Sequence, residues 1–249
     1  PVVFFSFKDT DGLTFESAYG MLCMKLAFAF QDYQFLLDDD AISDDDKGIF
    51  KRILGRTASM DETKSCFLLL TRMLEIHFKK SAVVILDEYD VPIAKASSNG
   101  YYSQMLDVMR AMMSTTLKDN TSLDFAVIAG CLKIAKESIF TGTNNFVSDT
   151  ILSPRLSESF GFTQADVDQM LKDADLESQS AEIKAWYDGY HFGDADIYCP
   201  WDVISYLRDF QYGVAQKPKS YWKNTSANAI IRSFIDQNPV IAYRGLETL

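Results

Sequence analysis

The chain has 249 residues, of which 47% are hydrophobic, 13% aromatic and 24% charged, which excludes a disordered or low-complexity protein. With 24 basic and 35 acidic residues the net charge is −11, so we expect no direct nucleic-acid binding by this chain, because that affinity depends largely on Lys and Arg. No apolar run reaches the ~18 residues of a membrane helix, and no signal peptide is visible, which predicts a cytoplasmic protein without a membrane partner.

The residues that most often bind metals or form disulfides are few. Four cysteines lie far apart and form no CxxC pair: Cys23, Cys66, Cys131 and Cys199. Each has apolar neighbours, which predicts reduced thiols in the core of a cytoplasmic protein. The two histidines, His77 and His191, have no partner at the spacing of a zinc site, so zinc is not expected.

The first half of the chain alternates between strand and helix patterns. β-branched and aromatic runs predict strands over 2–7, 82–86 and 125–129, and apolar residues at helical spacing predict helices over 15–30, 63–78 and 102–117. Ser43, with Asp46 three residues later, predicts the start of a further helix. Because the strands are almost uninterrupted apolar runs, we expect a parallel sheet covered on both faces, which is an α/β core.

From about Ile151 onward, the alternation of strand and helix patterns ends. Thr163 and Asp166 predict a capped helix start, 180–187 and 226–235 predict helices, and a helix from Pro200 extends to 210. The dipeptides Asp188-Gly189 and Gly193-Asp194 punctuate two short extended pieces, which predicts a hairpin. We therefore expect two domains, an α/β core over 1–155 and a helical, winged-helix-like subdomain over 156–249.

The most specific local signal is AVVILDEYD at residues 82–90, a hydrophobic strand that ends in two acids, as a Walker B element does. At the carboxyl end of such a strand Asp87 can hold the Mg²⁺ of a nucleotide and Glu88 can activate a water molecule. Side chains alternate along a strand, so both acids serve one site only if the strand ends at Asp87 and the chain turns. The pattern alone leaves open that the acids simply close a core strand.

A second set of polar residues follows the strand predicted at 125–129. Lys133, Lys136, Ser138 and Asn144 can contact phosphate or its water, and a plain polar turn is the alternative interpretation. The sequence contains no GxxxxGK[ST] loop. The chain therefore has an acid that can hold Mg²⁺, Asp87, but no phosphate-binding loop of this pattern. An acid-based hydrolase such as a glycosidase is a further alternative, although adjacent strand acids do not face each other.

Seven segments, in this order, resemble bacterial AAA-ATPase-like proteins, which are P-loop NTPase relatives often fused to a PD-(D/E)XK nuclease-like domain. The segments are SFKDTDGLTFESAY (6–19), VVILDEYDVPI (83–93), GCLKIAKESIFTGTNNF (130–146), FGFTQADV (160–167), WYDGYHFG (186–193), IYCPWDVISYL (197–207) and YWKNTSANAIIRSFI (221–235). Their number and order make the resemblance far more specific than the acid pair alone.

The resemblance implies an incomplete P-loop NTPase-like core that uses ATP and Mg²⁺ in the full-length protein. Asp87 is then the Mg²⁺-side acid and Glu88 the water-activating acid, while Lys133 and Asn144 lie in a sensor-like region. Family members carry a Walker A segment ahead of the part that this chain matches. We therefore expect a fragment that is inactive by itself, binds no cofactor tightly, and belongs to a protein regulating a nuclease-like domain or partner.

The same resemblance implies that one edge strand of the sheet has no neighbouring strand on its outer side. In such folds the Walker A strand lies beside the strand predicted at 125–129, so without it that strand exposes backbone groups and apolar side chains. We expect another segment, a second copy or a partner chain to cover this edge. A non-catalytic interaction module that keeps the NTPase fold is the alternative to an enzyme.

Overall fold

The computed structural model of the protein describes residues 1–131, 139–140, 146–214 and 217–221. The chain divides into two compact units, Pro1–Val147 and Ser148–Leu249. Within the described ranges, every helix is too short or too polar to cross a membrane.

A three-stranded parallel sheet organises the first unit. β1 (Val2–Ser6), β2 (Ala82–Asp87) and β3 (Leu123–Ile128) lie in the order β1-β2-β3, with β2 in the centre. Both strand pairs are parallel, with Ser6 opposite Asp87 and Ile85 opposite Val127. The predicted α/β fold is thus confirmed, and the carboxyl ends of all three strands meet at one edge of the sheet.

In the described part of the first unit, six α-helices connect and cover these strands. They are α1 (Phe15–Gln31), α2 (Asp44–Leu54), α3 (Met60–Lys64), α4 (Cys66–Phe78), α5 (Val91–Asn99) and α6 (Tyr102–Leu117). The helices predicted over 15–30 and 102–117 are confirmed, whereas the one predicted over 63–78 is interrupted at Ser65. Helix α5 was not predicted, because its nine residues include few apolar ones at helical spacing.

The start of α2 shows how the sequence specifies a helix end. The Ser43 side chain accepts a hydrogen bond from the backbone N–H of Asp46 at 3.2 Å, as the sequence predicts. The Asp46 carboxylate pairs with Arg72 of α4. The Asp46 carboxylate therefore joins α2 to α4. In addition, the three carboxylates in the first turn of α2 stabilise the helix through their attraction to the positive end of its dipole.

One face of the sheet forms the core of the first unit. Val3, Phe5, Val84 and Leu86 are at most 3% exposed. The ring of Phe5 makes an edge contact with that of Phe67 in α4, with centroids 5.3 Å apart. Burial of these side chains against α1, α4 and α6 supplies the main favourable free energy of the fold.

The opposite face of the sheet differs from the prediction. Val2, Phe4, Phe125 and Val127 are 55%, 58%, 54% and 48% exposed, so the expectation of burial on both faces is wrong for these side chains. A run of apolar residues places every second side chain on the other face, but it does not show whether anything covers that face. In the described part of the chain β3 pairs with β2 alone.

The second unit combines helices with a hairpin. Its elements are α7 (Gln164–Asp173), α8 (Ser180–Tyr187), β4 (Asp188–Phe192), β5 (Ala195–Tyr198) and α9 (Pro200–Gln211). The predicted hairpin, the helix over 180–187 and the helix from Pro200 are confirmed, and β4 pairs antiparallel with β5. The helix predicted over 226–235 lies outside the described residues, and a winged-helix arrangement stays a prediction.

Thr163 and Asp166 form the predicted capping box of α7. The Thr163 side chain accepts from the Asp166 N–H at 3.3 Å, and the Asp166 carboxylate accepts from the Thr163 N–H at 2.9 Å. The Thr163 hydroxyl also donates to the Asp166 carboxylate at 2.7 Å, and this bond, followed by the one from the Thr163 N–H, lowers the pKa of the Asp166 carboxyl below its usual value.

Two buried tyrosines hold the core of the second unit together. The Tyr198 hydroxyl donates to Gln164 Oε1 at 2.6 Å, and the Tyr187 hydroxyl donates to the Lys219 carbonyl at 2.9 Å. Burial raises the pKa of both phenols to about 12. These two aromatic side chains therefore belong to the core of the second unit, while Trp186 and Trp201 are about half exposed.

Candidate functional site

Asp87 occupies the position that the sequence predicts, at the end of the central strand. It is the last residue of β2, it lies opposite Ser6, and its carbonyl accepts a hydrogen bond from the Phe7 N–H at 2.9 Å. The residue is partly buried. In open parallel sheets, ligands bind outside the carboxyl ends of the strands, so Asp87 lies where a ligand is expected.

Glu88 turns the chain sharply. Its φ angle is +53°, in the left-handed region that costs a residue with a side chain roughly 1–2 kcal/mol. The Glu88 N–H donates to Asp87 Oδ1 at 2.9 Å, and the Glu88 carbonyl accepts from the Val91 N–H at 3.1 Å. The strand ends at Asp87 and the chain turns, which meets the condition under which both acids can serve one site.

Hydrogen bonds join the end of β2 to the end of β3. The Ala129 N–H donates to the Leu86 carbonyl at 2.8 Å, and the Tyr89 N–H donates to the Ala129 carbonyl at 3.3 Å. The ring of Tyr89 packs on Phe140, with centroids 5.6 Å apart, and Phe140 packs on Phe146 at 4.8 Å. The turn that carries the acid pair is therefore anchored to residues that follow β3 in the chain.

Cys131 follows β3 beside the acids. The prediction that it is a core thiol is wrong, because Cys131 is exposed, whereas Cys66 is buried and Cys23 and Cys199 are partly exposed. Partial burial of its sulfur and the negative charges of Asp90, Glu88 and Asp87 raise the pKa of Cys131. The chain leaves the sheet at Gly130, so the apolar character of the preceding strand does not extend to Cys131.

The chemistry of these residues suits a cation held together with a ligand. No three His, Cys, Asp or Glu side chains come close enough to hold a metal ion among the residues that the structure describes. An aspartate that holds the Mg²⁺ of a nucleotide commonly does so through water, with the nucleotide supplying further oxygens, so such a site does not need three protein ligands. Lys133 and Asn144, predicted to contact the nucleotide, lie outside the described residues.

A parallel α/β sheet with acids at the carboxyl end of its central strand defines a P-loop NTPase-like core. Residues 1–140, more than half of the chain, match the AAA-ATPase_like family model, described as "Predicted AAA-ATPase". The chain therefore belongs to this family, as its motifs predicted.

One relative is similar over much of this chain. An "Uncharacterized protein in vnfD 5'region" from Azotobacter chroococcum mcd 1 is 28% identical over 178 residues, which are 71% of this chain and 33% of the relative. The chain thus spans about a third of the relative's length. No solved structure matches the chain.

Proposed function

We propose that the full-length protein binds ATP with Mg²⁺ at the carboxyl edge of the sheet and hydrolyses it. The observation that carries the proposal is the acid pair, in which Asp87 ends the central strand and Glu88 turns directly after it. Membership of an AAA-ATPase-like family supports the same ligand.

The two acids have different roles in this proposal. Asp87 holds the Mg²⁺ side of the nucleotide, and Glu88 accepts a proton from, or orients, the attacking water. Bound Mg²⁺ would neutralise charge on the phosphates. Lys133 and Asn144 contact phosphate, and a phosphate-binding loop from outside this sequence completes the site. Without that loop, the 249-residue chain binds nucleotide poorly.

ATP hydrolysis by the full-length protein tests these roles. Glu88→Gln should lower kcat by roughly 10²–10⁴-fold while leaving ATP binding intact, because it removes only the proton-accepting group. The matched control is Asp124→Asn, an exposed acid near the amino end of β3, which should hydrolyse ATP like the wild type. Equal rates for Glu88→Gln and the wild type would contradict the assignment.

We further propose that nucleotide binding regulates an attached nuclease-like domain or partner protein. The relative is about three times as long as the matched region, which leaves room for such a domain. Nuclease activity of the full-length protein should change with Mg²⁺-ATP in the wild type and not in Asp87→Asn. Activity indifferent to nucleotide would contradict this regulation.

A second candidate function is association through the sheet. Phe125 and Val127 expose about half of their surface on an edge strand, and such edges accept another strand. In sedimentation, the chain should form homo-oligomers as its concentration rises, and Phe125→Lys should abolish this. Phe28→Lys changes an equally exposed Phe on α1 and serves as the control. A wild-type chain that stays monomeric would contradict this candidate.

A further inference from the structure

Asp90 starts helix α5 in an unusual way. An aspartate at this position ordinarily accepts a hydrogen bond from a backbone N–H of the first turn, as Ser43 and Thr163 do in their helices. The Asp90 side chain makes no such bond, although its carbonyl accepts from the Ala94 N–H at 2.9 Å. Asp90 is only 4% exposed, so its carboxylate points into the protein.

The carboxylate of Asp90 lies against the backbone of Gly130. A Cβ atom added to Gly130 would lie 2.5 Å from Asp90 Oδ1 and 2.8 Å from Cε1 of Tyr89. Both distances are far below van der Waals contact. Gly130 does not have a positive φ angle, so the close approach, and not backbone conformation, explains the glycine.

This contact joins the two strand ends at the acid pair. Asp90 is two residues beyond Glu88, and Gly130 is next to Ala129, whose carbonyl accepts the Tyr89 N–H. Burying a carboxylate is costly, so its environment restricts it to few positions. A shift of Gly130 against Asp90 would therefore displace the turn at Glu88.

We propose that Asp90 is a positioning residue that holds the left-handed turn at Glu88 by packing its carboxylate on Gly130. Its effect on hydrolysis rests on the proposed function, whereas its effect on the turn does not. Asp90 therefore acts on the reaction through the placement of Glu88 and not by touching the nucleotide.

Hydrogen exchange of the amides of Glu88 and Tyr89 in the 249-residue chain tests the contact. Gly130→Ala should speed their exchange about fivefold or more, because overpacking of this kind costs about 1 kcal/mol or more. Gly20→Ala is the matched control, since a Cβ there meets no atom within 4 Å. Adding Asp90→Ala to Gly130→Ala should restore part of the protection, because it removes the nearer of the clashing groups.

Two results would overturn the proposal: wild-type exchange in Gly130→Ala, or no recovery in the double variant. If Gly130→Ala does not fold, Asp90→Ala alone decides, since it should also speed exchange at Glu88 and Tyr89 without an equal effect on β1. In the full-length protein Asp90→Ala should lower kcat at least about tenfold with KM for ATP nearly unchanged. Altered exchange with unaltered kcat would refute the positioning role, whereas a wild type without ATPase activity would refute only the proposed function.

Discussion

Two adjacent phenylalanines in β1 allow a matched test of the sheet's two faces. Phe5 is 3% exposed and Phe4 is 58% exposed, although they share a strand and a residue type. We predict that Phe5→Ala destabilises the first unit far more than Phe4→Ala does. Any loss of β-propensity is common to both changes and cancels in the comparison.

The expected magnitudes follow from burial. Phe5→Ala should cost about 3–5 kcal/mol, the usual range for a buried Phe, and it also removes edge contacts to Phe7 and Phe67 at centroid distances of 4.9 and 5.3 Å. Phe4 buries a little under half of its surface, so Phe4→Ala should cost only about 1 kcal/mol. The difference between the two is therefore about 2 kcal/mol or more.

The assay is urea unfolding of the 249-residue chain, read by hydrogen exchange of peptides from β1 and β2. These peptides report unfolding of the first unit without a contribution from the second. Equal losses for the two variants would contradict this prediction, because they would mean that Phe4 is as buried in solution as Phe5 is.

Three further predictions concern the second unit. Thr163→Ala should lower its free energy of unfolding by about 1 kcal/mol in urea titrations, because α7 loses its cap, while Thr163→Ser should have little effect. In the folded protein Tyr187 and Tyr198 keep their protons up to about pH 12, whereas tyrosines of the unfolded chain lose theirs near pH 10. The free energy of unfolding should therefore fall as the pH rises from 10 to 12. Urea titrations followed by circular dichroism should show a weaker fall in Tyr198→Phe, which has one such phenol fewer. Gly193→Ala should lower the melting temperature more than Gly100→Ala does. Both glycines have a positive φ, but only at Gly193 does a backbone oxygen lie 2.7 Å from the added Cβ. Equal shifts of the melting temperature would contradict this close approach.

Much of the fold follows from local sequence signals. Helix α6 and the capping box at Thr163 could be predicted because apolar spacing and capping residues act over a few positions. The exposure of one sheet face in the described part of the chain could not be predicted, because Phe4 and Phe5 look alike in sequence and differ only in what packs on them.

The candidate site, like the fold, was predictable where its signals are local in sequence and not where they depend on distant contacts. Asp87 and Glu88 were found because a strand pattern ends in acids, and the turn at Glu88 was stated only as a condition. The contact between Asp90 and Gly130 could not be predicted, because it depends on the pairing of β2 with β3, which are distant in sequence. Gly130, a lone glycine directly after the predicted strand, is the sequence feature from which a close approach of this kind could have been inferred.

The proposed function depends on Asp87 holding the Mg²⁺ of bound ATP. Calorimetric titration of ATP into the full-length protein, with and without Mg²⁺, measures this most directly. We predict that Mg²⁺ strengthens ATP binding by the wild type and by Asp124→Asn, and that Asp87→Asn loses most of that gain. An Asp87→Asn variant that responds to Mg²⁺ as the wild type does would show that Asp87 does not hold the metal ion.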